Sequence, residues 1–211
     1  MSGREDPADA WLRWAREIQA ISGIGLLFSK NHHDEKNFSR LQEIAAEMAE
    51  MHSNLDFTRA MNIFQDQSGY VTVKVDVRGA VIQDGRIMLV KEIKDGLWCL
   101  PGGWADVGET PSEMVAREVW EESGYNVVPE RLVGVYDANR GGRPISFFHA
   151  YKIVFMCRIT GGHARTSPET SAVDFFDFDD LPVLSSNRTN ERHLEHVRAC
   201  LMDPQRPAAF D

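Results

Sequence analysis

The sequence predicts a mixed α/β fold preceded by a small all-helical unit, and three features carry that prediction. Apolar residues recur at helical spacing from Ala8 to Phe64. At Gly69 the texture changes to the alternation of strands. Between the β segments a glycine-rich stretch runs directly into a further helical pattern.

The first helix is predicted over Ala8–Ile21, where Trp11, Trp14, Ala15, Ile18 and Ile21 share a face and Asp9 is available as a cap. Gly23–Phe28 reads as a short apolar stretch and Asn31–Asp34 as a loop. A second helix then carries Phe38, Leu41, Ile44, Ala45, Met48 and Met51, and a third runs from Asp56 to Phe64. Past Gly69, Val71, Val73 and Val75 alternate with Thr72, Lys74 and Asp76. The segment Val77–Ile82 meets Arg86–Val90 across Asp84-Gly85, a strong hairpin turn. Leu132–Tyr136, Phe147–Ile159 and Val173–Phe178 are further strands, and Thr189–Met202 returns to helical spacing through Leu194, Val197 and Leu201. The expected domains are a helical unit at 1–67 and an α/β unit at 68–211.

With 211 residues and 43% hydrophobic content, one full core plus a small attachment fits the chain. A formal net charge of −9 without any Lys/Arg run disfavours nucleic acid as a partner. It is compatible with a small phosphorylated substrate, because divalent cations can sit between carboxylates and phosphates. Cys99, Cys157 and Cys200 form neither a CxxC nor a Cys/His metal pattern, and are expected as buried free thiols in a reducing compartment. The N-terminal MSGREDPADAWLRW has no apolar run of signal length, and no segment reaches the ~20 apolar residues of a membrane span. A cytoplasmic protein without a membrane partner is the expectation.

The chemistry concentrates in GGWADVGETPSEMVAREVWEESGY, Gly102–Tyr125. Pro111 and Ser112 suit a first helical turn and Gly124 suits the position just past a helix end. At 100° per residue, Glu118, Glu121 and Glu122 fall on one helix face within roughly 100° of arc. Like charges at these spacings repel, so a cation is expected among them. Carboxylates without His or Cys favour Mg²⁺, Mn²⁺ or Ca²⁺ over Zn²⁺. Arg117 can brace the loop through Glu109 or the helix through Glu121. Three carboxylates alone would more often be a solvated helix face, and the spacing of the whole segment decides against that.

That spacing resembles the signature of the Nudix hydrolases, G-x5-E-x7-R-E-U-x-E-E-x-G-U with U a bulky aliphatic. Gly103, Glu109, Arg117, Glu118, Val119, Glu121, Glu122 and Gly124 match it, and Tyr125 stands where an aliphatic is usual. At ordinary residue frequencies of roughly 5–7%, such a match arises by chance less than about once in a million. The resemblance implies an α/β/α sandwich with a mixed sheet. It implies Glu118, Glu121, Glu122 and the Gly102 carbonyl as ligands of Mg²⁺, or Mn²⁺, with Glu118 and Glu122 central to catalysis and Glu109 in support. It also implies a further carboxylate from a loop before the last strand; Glu169 is the candidate general base or extra ligand, and Asp174 reads as a solvent-facing strand residue. Asp177, Asp179 and Asp180 read as turn and cap residues.

A narrower resemblance rests on WxRExQAIxxxGLxxSK (Trp14–Lys30), LxEIAAEM (Leu41–Met48), GYVTVKVDVRGAV (Gly69–Val81), LVKEIKDGLWCLPGGWADVGE (Leu89–Glu109) and ISFFHAYKIVFMC (Ile145–Cys157). These look like the bacterial CDP-choline pyrophosphatases of the same family. The implied reaction is hydrolysis of CDP-choline to CMP and phosphocholine, with ADP-ribose or a nucleotide sugar as the alternative substrate, in a homodimer whose N-terminal helices form an interface or part of the substrate pocket. Arg78 is a candidate phosphate partner, or else an exposed strand arginine. Glu92 is placed to hold Arg78 or a base edge, and Trp104 and Asp106 to face the site from the loop. His149 and Tyr151, on alternate strand positions, either face a ligand or belong to the core. His32-His33 and His193/His196 read as surface residues. A non-catalytic nucleotide sensor is the competing class, and the intact Glu118, Glu121 and Glu122 set argues against it. Without the family, the N-terminal helices would read as a protein-docking module.

Overall fold

A computed structural model of the chain describes residues 10–67, 69–138 and 149–211. Among these, the residues up to Val73 together with His149 form one compact unit, and the others from Lys74 onwards form a second.

The first unit consists of α1 (Ala10–Phe28), α2 (His32–His52) and α3 (Phe57–Gln65). The capping position expected at Asp9 lies outside the described residues. Helix α1 runs through Gly23–Phe28 instead of stopping at Ile21, and Gly25 shows why. A Cβ there would sit 2.4 Å from the Phe38 ring of α2, so a glycine lets the helix continue alongside its neighbour. The expected loop at Asn31–Asp34 reduces to a cap: Asn31 accepts the Asp34 N–H at 2.9 Å, and α2 begins at His32. Ala45, Ala46 and Ala49 pack against Trp11, Leu12 and Ala15, small residues on one helix admitting large ones from the other. Helix α3, capped by Asp56 on the Arg59 N–H, adds Ala60 and Phe64. Burying Leu12 and Phe64 contributes on the order of 2 kcal/mol each. No helix among the described residues is long and apolar enough to cross a membrane.

The second unit is built on β1 (Lys74–Gln83), β2 (Arg86–Glu92), β3 (Trp98–Cys99), α4 (Pro111–Ser123), β4 (Tyr125–Asp137), β5 (Ala150–Gly162), β6 (Thr170–Phe176), α5 (Glu191–Met202) and β7 (Ala209–Phe210). The strand order is β3-β2-β1-β5-β4-β7, with β6 pairing β2. Strand β1 pairs in parallel with β5, from Lys74↔Ala150 to Val81↔Cys157, whereas β4 and β5 are antiparallel. The sheet is therefore mixed. Helix α4 covers one face, where Met114, Val115 and Val119 meet Val77, Val81 and Met88. Helix α5 covers the other, where Leu194 and Val197 meet Ala80, Leu89 and Val154. This is the expected α/β/α sandwich.

One feature of the sheet positions the site. Strands β1 and β2 pair only at Ile82↔Ile87 and Gln83↔Arg86, beside the Asp84-Gly85 turn. Beyond that they separate, and the segment after β3 takes the place beside β1. Gly79 N–H donates to Pro101 O (2.9 Å), Val77 N–H to Gly103 O (2.9 Å) and Ala105 N–H to Val75 O (2.8 Å). The glycine-rich segment is thus held as an additional strand by backbone hydrogen bonds.

Several sequence expectations are corrected. Strand β4 begins at Tyr125, seven residues ahead of the expected Leu132, because register shifts at Asn126/Val127, Pro129/Arg131 and Leu132/Gly134 erase the period-two pattern. Strand β5 begins at Ala150 and extends to Gly162; Phe147 and Phe148 lie outside the described residues. β6 ends at Phe176, two residues before the expected Phe178, and α5 begins at Glu191, with Asn190 as its cap. The two-residue strands β3 and β7 were too short to show a period. His193 is buried, not superficial: its Nδ1 accepts the Asn190 N–H (3.3 Å) in the capping box of α5. His196 is half-buried, with its Nδ1 2.9 Å from the Tyr136 hydroxyl. His32 and His33 are exposed as expected. Cys99, Cys157 and Cys200 are free and buried.

Candidate active site

Helix α4 starts where local chemistry dictates. Thr110 accepts the Glu113 N–H while the Glu113 carboxylate accepts the Thr110 N–H, a reciprocal cap, and Pro111 occupies the first turn. Gly124 ends the helix in the left-handed region, φ 80°, and its N–H donates to Trp120 O. The helix register is thereby pinned at both ends, and the carboxylates face the glycine segment.

Glu122 is buried, and its Oε2 accepts the Gly102 N–H at 2.9 Å. Glu118, one turn earlier, lies against the next residue, so close that a Cβ on Gly103 would be 3.0 Å from its Oε2. Gly102 itself has φ 142°, and a Cβ there would be 2.0 Å from Val77 O, so no other residue fits without moving β1 or the loop. Burial pushes the Glu122 carboxyl up to about 7, against the opposing influence of Arg78 and the Gly102 N–H and with help from Glu92 and Glu118. Burial also raises Glu118, opposed by Arg117 and reinforced by Glu121. Two half-dehydrated, mutually repelling carboxylates beside a glycine backbone are a donor set for a hard divalent cation. Glu118 and Glu122 would hold it, with the backbone of Gly102 alongside.

Glu121 is drawn outward. Arg117 pairs with Glu121 (2.9 Å), Glu118 (3.0 Å), Glu109 (2.9 Å) and Asp106 (3.1 Å). The two bracing roles expected for Arg117 are therefore both present, and Asp106 joins them. Among the described residues no three acidic, His or Cys side chains are drawn together as one metal-holding group. Trp104 is half-exposed and its backbone bridges that of Asp76.

Arg78 is neither an exposed strand residue nor a partner of Glu92. It is buried and bonded twice to Asp76 (2.9 and 2.8 Å), and its Nη1 donates to Leu100 O at 3.0 Å. Residues two apart on a strand share a face, which puts Asp76 within reach. Glu92 is paired instead with Arg188 Nε at 3.1 Å and accepts the Cys99 thiol at 3.4 Å. Arg188 also reaches Asp95 (3.1 Å). Glu169 is exposed in the turn before β6, and its backbone carbonyl accepts the Ile93 N–H. The following Thr170 donates its hydroxyl to Glu122 O at 2.7 Å, tying this turn to the end of α4. Asp174 is exposed on β6, and Asp179 pairs with Arg198. His149 immediately precedes β5, in the first compact unit, and Tyr151 is half-exposed on the strand.

Sequence reasoning missed the supports behind the loop. Thr189, fully buried, accepts the Leu100 N–H at 2.8 Å, so the Leu100 peptide is held from both sides, by Thr189 and by Arg78. Buried Lys152 donates to the carbonyls of Asn187 and Arg188 and lies 3.9 Å from Asp76. The Asp76-x-Arg78 spacing was a readable signal for one pair. Nothing local in the sequence links Thr189 to Leu100.

Comparison with known proteins places this geometry in context. Residues 73–199 match the sequence profile described as the NUDIX domain, and residues 9–64 match that described as a UDP-X-like, N-terminal oligomerisation domain. A Bacillus subtilis protein named "Putative ADP-ribose pyrophosphatase YjhB" is 39% identical over 95% of this chain and 97% of its own. An ADP-ribose pyrophosphatase of Methanocaldococcus jannaschii is 34% identical over 55% of this chain and 69% of its own. Among solved structures, a UDP-X diphosphatase superposes with a TM-score of 0.62 at 29% identity, covering 97% of this chain and 99% of that one. An ADP-ribose pyrophosphatase of Streptococcus suis gives 0.61 at 35% identity, covering 66% and 100%.

Proposed function

The chain belongs to the Nudix family of hydrolases, and from that premise we propose that it cleaves the pyrophosphate bond of CDP-choline, giving CMP and phosphocholine, with Mg²⁺ as its cation. The observation that carries the reaction class is the seating of Glu122 and Glu118 on Gly102 and Gly103. CDP-choline is favoured by the segments Trp14–Lys30, Leu41–Met48 and Gly69–Val81, which lie outside the signature. ADP-ribose is the second reading, favoured by the near full-length likeness to the Bacillus subtilis protein.

When bound, the divalent ion would neutralise the diphosphate, lower the pKa of a water and stabilise charge on the attacked phosphorus. The residues of the chain set the conditions for this. Glu118 and Glu122 supply anionic oxygens at a fixed separation because their helix is capped at both ends. Arg117 keeps Glu109 and Asp106 tied to the helix, so the loop and the carboxylates move together. Glu169 is proposed as the general base, its turn held near α4 by Thr170. Arg78, Glu92, Trp104, Asp106 and His149 are proposed as substrate-side residues. For Arg78 and Glu92 the role is to shape the wall behind the loop, since both are already ion-paired. Residues 1–67 would serve as the dimerisation unit of a homodimer and 68–211 as the catalytic unit.

The test is a panel of CDP-choline, ADP-ribose, nucleotide sugars and nucleoside triphosphates with Mg²⁺ or Mn²⁺, with products identified. CMP and phosphocholine formed in preference to all other products are expected. Preferred turnover of ADP-ribose would replace the substrate assignment, and uniformly feeble rates would overturn the proposed activity. Glu122→Gln should lower turnover by orders of magnitude while preserving the circular dichroism; full activity at saturating Mg²⁺ would overturn the metal assignment.

A further inference from the structure

Helix α1 buries one face and leaves another bare. Trp11, Leu12, Ala15, Gln19 and Ser22 are its buried residues. Trp14 and Ile21, expected from the spacing to share that face, are instead turned aside from it, Trp14 one turn from buried Trp11, and with Phe28 they are 50%, 54% and 66% exposed. These three stand seven residues apart, and on a helix each such step drifts by only about 20°, so they form a nearly straight apolar line. The half-buried Ile18 and Ile24 fill in beside it. From Trp14 to Phe28 the line is about 21 Å long at 1.5 Å per residue. Arg13 and Glu17 flank its start.

We infer that this line is the contact between two copies of the chain, packed as antiparallel α1 helices about a two-fold axis passing Ile21. This rests on the homodimer reading above and names the surface that forms it. Two observations select a second copy as the occupant. The family profile matched by residues 9–64 is described as an oligomerisation domain, and α1 is its first helix. The line is also self-complementary: an aliphatic residue at the centre and an aromatic residue at equal distance on either side. About a two-fold axis, Ile21 meets Ile21 of the second copy, and Trp14 meets its Phe28, the reciprocal pairing that a two-fold contact requires. At the 8–10 Å axis separation of packed helices, side chains at the axis touch. Side chains at Trp14 lie about 21 Å, nearly four turns, away from their own counterparts.

Cysteine cross-linking tests the contact, and the three native thiols, all buried, leave a low background. Full-length Ile21→Cys under mild oxidation should run as a covalent dimer. Trp14→Cys alone should not, since its two copies would be about 21 Å apart. A mixture of Trp14→Cys and Phe28→Cys chains should cross-link. Ile21→Glu, at an exposed position, should keep its helical circular dichroism and sediment as a monomer. A wild-type chain that scatters light as a monomer at micromolar concentration would overturn the homodimer reading itself. A dimeric wild type in which Ile21→Cys fails to cross-link and Ile21→Glu stays dimeric would overturn the assigned face alone. Equal self-cross-linking of Trp14→Cys and Ile21→Cys would overturn the antiparallel arrangement.

Discussion

Replacing Thr189 by valine removes one hydroxyl and almost no volume, at a position with no solvent exposure. What it takes away is the acceptor of the Leu100 N–H, 2.8 Å distant and on a residue that is equally buried. A buried donor left without a partner costs about 1–3 kcal/mol. With a urea m-value of about 2 kcal/mol/M, the midpoint of the catalytic unit should fall by about 0.5–1.5 M with an unchanged slope. Activity should fall further than stability predicts. Leu100 is two residues from Gly102, and a shift of about 1 Å in a positioning segment can cost about 100-fold in rate. Thr189→Ser keeps the acceptor and should restore both quantities. Urea unfolding followed by fluorescence, together with kcat/KM on the preferred substrate, measures them. If Thr189→Val matches the wild type in both, the clamp on the Leu100 peptide does not hold the loop. If Thr189→Ser is as damaged as Thr189→Val, the loss comes from packing and the hydrogen bond is irrelevant.

Two other perturbations follow from the geometry. Gly102→Ala should abolish turnover and lower stability, because φ 142° alone strains a residue with a Cβ by about 1–3 kcal/mol and the new atom would meet the carbonyl of Val77, which β1 cannot yield; near-normal activity in a thermally stable variant would contradict this. The carboxyl of Asp95 is lowered below its ordinary 3.8, since the Ser185 hydroxyl, the Leu97 N–H and Arg188 together outweigh the effect of burial. Its folded value is depressed, so its contribution to stability is complete above the unfolded value and disappears as pH falls through the folded one. Asp95→Asn should therefore be less stable than wild type at neutral pH and converge with it in acid, as read from thermal midpoints between pH 7 and pH 2; a constant difference across that range would contradict it.

The sequence revealed most where the determinants are local. The first turn of α4 at Pro111, its end at Gly124, the Asp84-Gly85 turn and the Glu118/Glu122 face depend on residues within a turn or two, and each is where local spacing and turn chemistry put it. Gly23–Phe28 misled in the opposite sense: it read as a short apolar stretch beyond the first helix, but it is the end of α1, and its glycines lie where the helix meets its neighbours, Gly25 against Phe38. Strand β4 was half hidden because its bulges move apolar residues off alternate positions. The ion pairs depended on topology. Arg78 chose Asp76, its neighbour on the same strand face, whereas Glu92 found Arg188 from a loop far along the chain. Chain order cannot announce such a partner. His193 looked superficial because it forms no metal-ligand pattern with His196, and its capping role appears only once Asn190 is seen to start the helix.

The parallel pairing of β1 with β5 has a consequence for how the protein is made. Lys74 finds Ala150 and Val81 finds Cys157 only after β2, the glycine segment, α4 and β4 have all been synthesised. Non-local parallel pairing of this kind is slow, because the entropy of closing a long loop is lost before the contacts repay it. The helices of the first unit need only near neighbours. During translation they can be complete while the central strand, and with it the backbone that seats Gly102, still waits for its partner. For that interval the β5-facing edge of β1 is apolar and unpaired behind the finished helices, a ready template for mispairing.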